Sequence, residues 1–315
     1  MRLVKAKTNI DFMGKRKLAL GLSSLLLALA LISLPTLGLN FGLDFTGGTE
    51  VEVRFDQPPQ VAEVRESLGA AGFEDATVQN FGSSVDLLVR IPPRDGEAEN
   101  SAAEQATQVI NALNADYNNG VEMRSSGFVG PQVGEELTEQ GILAVIYALI
   151  GIFIYVMFRF QWRFSVGAVV AIVHDILVSL GILSLLQVDF DLTVVAALLA
   201  VVGYSLNDTI VLFDRIRENF PRMNKSTPVE VVNRSVNETL ARTLMTSLTT
   251  LLVLAALFFL GGEIIHAFAL TLIVGVVVGT YSSIYVASTA LLMLGVSKLD
   301  LLQVEKEGAE MDAMP

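Results

Sequence analysis

Six stretches of this chain are apolar enough to cross a bilayer, and one of them carries an aspartate directly after an asparagine. The run from Leu192 to Phe213 is interrupted by Asn207 and Asp208 and then leaves into Asp214, Arg215, Arg217 and Glu218. At about 1.5 Å of rise per residue it spans a hydrocarbon core of about 30 Å. A carboxyl inside such a segment is costly, and its presence there points to function. The aspartate stands about five residues, or roughly 7 Å, to one side of the segment's midpoint.

The other apolar runs are Leu18 to Leu39, Ile142 to Phe158 (with a start as early as Thr138 in reach), Phe164 to Leu186, Leu244 to Leu260 and Ala267 to Leu294. The first follows Arg2, Lys5, Lys7, Lys15, Arg16 and Lys17. It is longer than the apolar core of a signal peptide and lacks a small-residue cleavage site, so it reads as a retained transmembrane helix. Only 17% of the residues are charged, against about 25% in soluble domains. Between Asn40 and Thr138 the chain has seventeen Asp and Glu against five Arg and no Lys, which accounts for the whole net charge of −12. No basic patch of the kind that binds nucleic acid is present. There is no cysteine, hence no disulfide and no thiolate chemistry.

Loop charges orient the chain. Arg159 and Arg163 flank one short connection, and Arg215, Arg217, Arg222, Lys225, Arg234 and Arg242 fill a longer one. The alternate connections hold Asp189 and Asp191, or Glu263, without Lys or Arg. The positive-inside rule puts both termini in the cytoplasm and residues 40–138 outside. The expected division is 1–39 (cytoplasmic start and first span), 40–138 (external domain), 139–294 (five spans) and 295–315 (cytoplasmic tail).

Within the external block, TEVEVRF alternates with Val51, Val53 and Phe55 on one face. A helical stretch runs from Val61 to Gly69. ATVQNFG and VDLLVRI read as strands joined at Gly82-Ser83-Ser84. Ser101 to Asn114 reads as a helix, and VEMRSSGFV as a last strand. The order β-α-β-β-α-β predicts a ferredoxin-like α+β domain. Residues 92–100, PPRDGEAEN, read as a solvated loop. Two glycine-rich pieces bracket the domain: GLDFTGG with Gly42, Gly47 and Gly48, and GFVGPQVG with Gly130, Pro131 and Gly134. Neither is a phosphate loop. Both read as hinges between domain and membrane.

Other polar residues lie inside the spans. His174 and Asp175 are adjacent, but a metal-dependent hydrolase needs further ligands and the chain has one other histidine, His266. The two read as a buried hydrogen-bonding pair. Thr239, Thr243, Thr246 and Thr250 recur at helical spacing beside Arg242 and Ser247. Helix packing explains such a face, and an arginine there could snorkel to the interface. The segment is antiparallel to the one holding Asp208, so Arg242 is expected at a similar depth and a charge pair across the two helices follows. Gly275 and Gly279 form a G-x-x-x-G for close helix contact.

GLDFTGGTE, VGPQVG, AIVHDILVSLG, GYSLNDTIVLFDRIREN and NRSVNETLARTLMTSLTTL, in this order, resemble the SecD/SecF family of bacterial protein-export membrane proteins, within the resistance-nodulation-division superfamily. The resemblance implies an α-helical polytopic inner-membrane protein with six transmembrane helices, half of the superfamily's bundle, and one periplasmic ferredoxin-like domain. It implies SecD as the other half of a proton-driven machine that serves the SecYEG channel and SecA motor in moving preproteins, with YajC and YidC as further partners. It puts Asp208, Arg242 and Asn207 on the proton pathway, with His174, Asp175, Thr243, Thr246 and Ser247 as supporting polar groups. No enzyme activity, metal or cofactor is expected. A small-molecule exporter of the same superfamily is disfavoured by the single six-span half and small external block, and a membrane-embedded hydrolase by the missing ligands and nucleophile.

Overall fold

The structure, a computed structural model, describes residues 8–93, 99–117, 120–223 and 225–297, with the side chains of 99–101 and 263 left out of the description. Arg2, Lys5, Lys7, residues 94–98 of the expected solvated loop, the Glu263 side chain and the tail from 298 onward lie outside it.

A 3-10 turn, Met13–Lys15, leads into α1 (Arg16–Thr36), which is followed by β1 (Asn40–Phe41) and a single turn, α2 (Leu43–Thr46). The domain follows as β2 (Gly48–Phe55), α3 (Val61–Ala70), β3 (Thr77–Phe81), β4 (Ser83–Ile91), α4 (Glu99–Asp116) and β5 (Val121–Val129). The rest is α5 (Pro131–Arg159), α6 (Trp162–Leu186), β6 (Asp189–Phe190), α7 (Leu192–Arg222), α8 (Pro228–Leu260), a 3-10 turn at Glu263–Ile265, α9 (His266–Ser282), a π turn (Ser283–Ala287) and α10 (Ser288–Met293). Six helical segments are long and apolar enough to span a membrane: Met13–Thr36, α5, α6, α7, α8 and His266–Met293.

Two of these helices begin well before their apolar runs. In α5, Gly130 is the extended N-cap and Pro131 the first helical residue, where a missing N–H and a fixed φ cost nothing. In α8, Thr227 and Glu230 close a reciprocal capping box, which satisfies two otherwise orphaned donors. Hydropathy locates the part of a helix in lipid, while the caps locate the helix.

The bundle is assembled through small residues. A Cβ on Gly275 would overlap the Val201 side chain, and one on Gly279 would stand 3.1 Å from Ser205 Cβ, so α9 lies directly on α7. Gly181 of α6 touches Ala30 of α1 in the same way. Leu252, Val253, Phe259 and Leu260 of α8 point outward, which is free of cost where the surroundings are hydrocarbon. At one end of the bundle, Asn233 and Asn237 near the start of α8 clip the N-terminal segment. Asn233 Oδ1 accepts from the Phe12 amide at 2.8 Å, and Asn237 Oδ1 from the Ile10 amide at 2.8 Å. The N-terminus and the α7–α8 connection therefore share one end.

At the other end stands the α+β domain. Its sheet order is β3-β4-β2-β5 with every pair antiparallel, the order of a ferredoxin-like split βαβ unit. Val51, Val53 and Phe55 meet Val64 and Leu68 of α3 and Val109 and Leu113 of α4 in one core. The hairpin turn is tighter than Gly82-Ser83-Ser84 suggested: Gly82 alone turns at φ 71, and both serines belong to β4.

Three devices seat the domain. β1 pairs in parallel with β6, joining the exit of α1 to the α6–α7 connection. The two glycine segments cross in contact. Gly47 (φ 66) has no room for a Cβ between Val129 O and Pro131, Gly48 (φ 107) faces Ile91 O, and Gly134 lies against Phe45 O. Asp189 is the third. It accepts from Asn40 Nδ2 at 2.6 Å, Gln79 Nε2 at 3.0 Å and Arg90 Nη2 at 2.9 Å, while Arg90 Nε also meets Glu50 at 2.7 Å. Burial works against the Arg90 charge, but its hydrogen bonds to Asp189 and Glu50 outweigh that and hold its pKa above the ordinary value.

Two measurements check this seat. Gly48→Ala, strained at positive φ and against Ile91 O, should lower the stability of the detergent-solubilised protein by about 1–3 kcal/mol, whereas Gly130→Ala, with open space at its Cβ position, should cost less than about 1 kcal/mol; equal melting shifts would contradict the crossing. Arg90→Met strands two carboxylates and should raise amide exchange in residues 40–41 and 189–190 by about fivefold, roughly 1 kcal/mol. Asp189→Asn, which keeps an acceptor for Asn40 and Gln79, should do less.

Candidate functional site

The polar residues of the spans converge on α7. That helix turns Asp208 inward to 3% exposure, and its Oδ2 has no hydrogen-bond partner. Arg242 and Thr246 of α8 are the groups that act on this carboxyl across the helix pair. Yet among the described residues no ion pair within 4.0 Å joins Asp208 to Arg242, and Arg242 is exposed. The two charges therefore act on each other across the helix pair without forming an ion pair within 4.0 Å. Helical phase is the reason. The buried stripe of α8 runs through Thr239, Thr243 and Ser247, and Arg242 lies about 100° around the helix from Thr243. Thr246, expected on the packed face, is half-buried and turns its hydroxyl back to Arg242 O at 3.1 Å and Thr243 O at 2.9 Å. Asn207 is exposed on α7 and points away from the buried carboxyl.

Ser247 connects α8 to its neighbours. Its hydroxyl lies 2.7 Å from Thr280 Oγ1 of α9 and receives Tyr204 OH of α7 at 3.3 Å. Sequence reasoning found Ser247 but neither partner.

His174 and Asp175 form the predicted buried pair, with Nδ1 3.0 Å from Oδ1. Their surroundings were not foreseen. Asp175 Oδ2 accepts from Ser205 Oγ of α7 at 2.6 Å and from Ser282 Oγ of α9 at 2.7 Å. Next along the seam, Ser283 Oγ lies 3.0 Å from Thr209 Oγ1 and donates to Ser205 O at 3.4 Å. Ser205, Thr209, Ser282 and Ser283 are all buried. The signal that could have found them is spacing: Ser205 and Thr209 flank Asp208 on one helical face, and Ser282 and Ser283 come three and four positions after Gly279. Tyr281 braces the same junction, donating to Ala19 O of α1 at 2.7 Å and lying 2.9 Å from Ser23 Oγ.

The seam thus has a satisfied carboxylate held by three helices and, on α7 less than one turn below Ser205, a carboxyl with a free oxygen. It offers proton-binding groups and no nucleophile–base pair. Gly42, Gly47, Gly48, Gly130, Pro131 and Gly134 lie away from it, at the crossing under the domain.

Comparison with known proteins gives the family. The model for the C-terminal part of protein export membrane protein SecD/SecF matches residues 109–297, and that for the SecD/SecF GG motif matches residues 32–59. The protein translocase subunit SecF of Vibrio alginolyticus is 52% identical over 316 residues, covering 100% of this chain and 99% of the relative. That of Escherichia coli O157:H7 is 47% identical over 302 residues, covering 95% and 93%. Among solved structures, SecDF from Thermus thermophilus, a translocon-associated membrane protein, superposes with a TM-score of 0.81 at 38% identity, covering 93% of this chain and 39% of that one. By sequence along its whole length and by fold, the chain belongs to the SecD/SecF family.

Proposed function

We propose that this chain is a SecF-type subunit of the protein-export machinery. It sits in the bacterial inner membrane with both termini cytoplasmic and its α+β domain periplasmic, and works with SecD to draw on the proton gradient while preproteins cross. Relatives named as SecF translocase subunits along the whole chain support the export role. The structure of SecDF, whose longer chain includes a region like this one, supports the SecD partnership. SecYEG, SecA, YajC and YidC are the further partners in this reading, and it involves no covalent chemistry.

The observation that carries proton coupling is Asp208, buried in a spanning helix with one oxygen unpartnered. An ionised carboxylate so placed is expensive. Two events relieve it: binding a proton, or drawing in the Arg242 guanidinium, which stands free of direct contact on the neighbouring helix. The two are alternatives, because a protonated carboxyl no longer attracts the cation. Exchange between them gives a two-state pairing of α7 with α8 that the gradient biases. Thr243, Thr246 and Ser247 line the α8 side, and His174 and Asp175 hold the far side of α7. Bending at the glycine crossing, around Gly42, Gly47, Gly48, Gly130, Pro131 and Gly134, passes the change to the periplasmic domain.

Asp208→Asn keeps size and hydrogen bonding but cannot ionise. It should insert at normal abundance and associate with SecD, yet lose gradient-dependent export while ATP-driven export continues. Arg242→Lys should be partly defective and Arg242→Met more so, since lysine keeps the charge but not the planar fork. The double variant should be no worse than the worse single, as both act on one step. Membrane abundance measured beside gradient-dependent translocation decides it: full gradient-dependent export by Asp208→Asn at normal abundance removes the proton-carrier role.

A further inference from the structure

His174 has one ring nitrogen committed and the other free. Asp175 already accepts Ser205 and Ser282 on Oδ2. An ionised carboxylate only accepts, so at Oδ1 the hydrogen is carried by His174 Nδ1, 3.0 Å away. That fixes the tautomer and leaves the Nε2 lone pair outward from the pair. Nε2 is buried and meets no hydrogen-bond partner among the described residues. The two residues are only 3% and 1% exposed.

The electrostatic surroundings of the ring are simple. Of the helices packed against α6, α1 brings no titratable side chain between Leu18 and Thr36. α5 brings Glu135, Glu136 and Glu139 in its first turns, Tyr147 and Tyr155, both exposed, and Arg159, which pairs with Asp214 of α7. α7 also brings Tyr204, bonded to Ser247, and Asp208, acted on from α8. α10 brings none. The α9 segment has His266 at its start, against Phe258, and Tyr281 and Tyr285 stacked on each other. Of these, Tyr281 meets the His174 ring, at 6.3 Å between centroids. The titratable group that His174 faces at contact distance is therefore the Asp175 carboxyl, itself buried.

We infer that His174 is a proton-binding site of the membrane part, separate from Asp208, which takes its proton at Nε2 with Asp175 as fixed counter-ion. Loading converts a lone buried carboxylate into an imidazolium–carboxylate pair with no net charge, the form in which a low-dielectric site holds ions. The three donors to Asp175 come from α6, α7 and α9, so the charge of the ring is felt where those helices meet. Ser282 stands immediately before the π turn, a helix irregularity found at functional sites. The proton load on His174 thereby sets how firmly α9 is tied to α6 and α7.

The chain has two histidines, so the test reads the ring directly. Protein labelled with ¹⁵N-histidine in lipid bilayers is followed by solid-state NMR, and His266→Gln assigns the two signals. The His174 ring should be seen in both the imidazolium and the neutral Nδ1–H form, with the balance set by pH. It should do so equally in Asp208→Asn, which separates this site from the proposed role of Asp208. In Asp175→Asn, which removes the counter-ion, the balance of the two ring forms should differ from that of the wild type. A wild-type ring fixed in either form throughout, a transition that vanishes in Asp208→Asn, or one unmoved in folded Asp175→Asn overturns the inference; if Asp175→Asn does not fold, the first two readings decide.

Discussion

In hydrocarbon, helices gain nothing by hiding leucine from lipid, so what joins them must be close backbone contact or hydrogen bonds between side chains. The junction of α6, α7 and α9 uses both at one place. Gly275 and Gly279 let α9 settle on α7, and at that distance Ser205 and Ser282 reach a single oxygen of Asp175. The carboxylate depends on the glycines for its donors, and the glycine contact depends on the carboxylate for its register. Around this junction the outer helices are added: α1 through Gly181, Ala30 and Tyr281, α8 through Ser247, and α5, which buries least of its length.

The domain at the other end obeys water's rules. It has its own apolar core with α3 and α4 packed against the sheet, and it needs nothing from the membrane to fold. Its coupling to the bundle is therefore carried by a few specific contacts. The β1–β6 pairing, the glycine crossing and the Asp189 cluster all act within a few residues of each other, between the exit of α1 and the start of α7. Asp191 adds to this, accepting from the Val194 amide as N-cap of α7 while Asp44 of α2 accepts from the Leu192 amide. The helix that holds Asp208 thus starts from the same short segment that grips the domain. A rotation of α7 cannot leave that segment unmoved, which gives the intramembrane carboxyl a covalent route to the periplasmic side.

The parts legible in the sequence are those written in periodicity and composition. The six apolar runs became six spanning helices, and the alternation of Val51, Val53 and Phe55 with its flanking helices gave the split βαβ domain. Asp208, His174 and Asp175 stood out because charge in an apolar run is rare. What was hidden depends on helical phase and on contacts far apart in the chain. Arg242 shares a depth with Asp208 but not a face, and depth is all that a hydropathy pattern conveys. Asp189 read only as an acidic residue of a connection without Lys or Arg, because its partners Asn40, Gln79 and Arg90 lie 99 to 149 positions away. Asn233 and Asn237 looked like ordinary helix residues until the N-terminal segment was seen lying on them. The serines of the α6–α7–α9 seam were passed over since small hydroxyl residues in spanning helices usually serve packing alone.

Two carboxyl groups inside one membrane domain call for different explanations, and the contrast lies in their partners. Asp175 has a hydrogen-bond partner at each oxygen, from helices that are themselves held by glycine contacts, so it is fixed in place. Asp208 has an oxygen with no partner and a cation nearby that is not in contact, so neither its charge nor its geometry is fixed. A group of the first kind organises a site; a group of the second kind responds. Asp208 stands only three positions beyond Ser205 on α7, so the responsive group and the donor that helps fix Asp175 ride on the same rigid turn. Any shift of that turn toward Arg242 must therefore be taken up at Ser205, at the hydrogen bond that binds α7 to the fixed centre of the bundle.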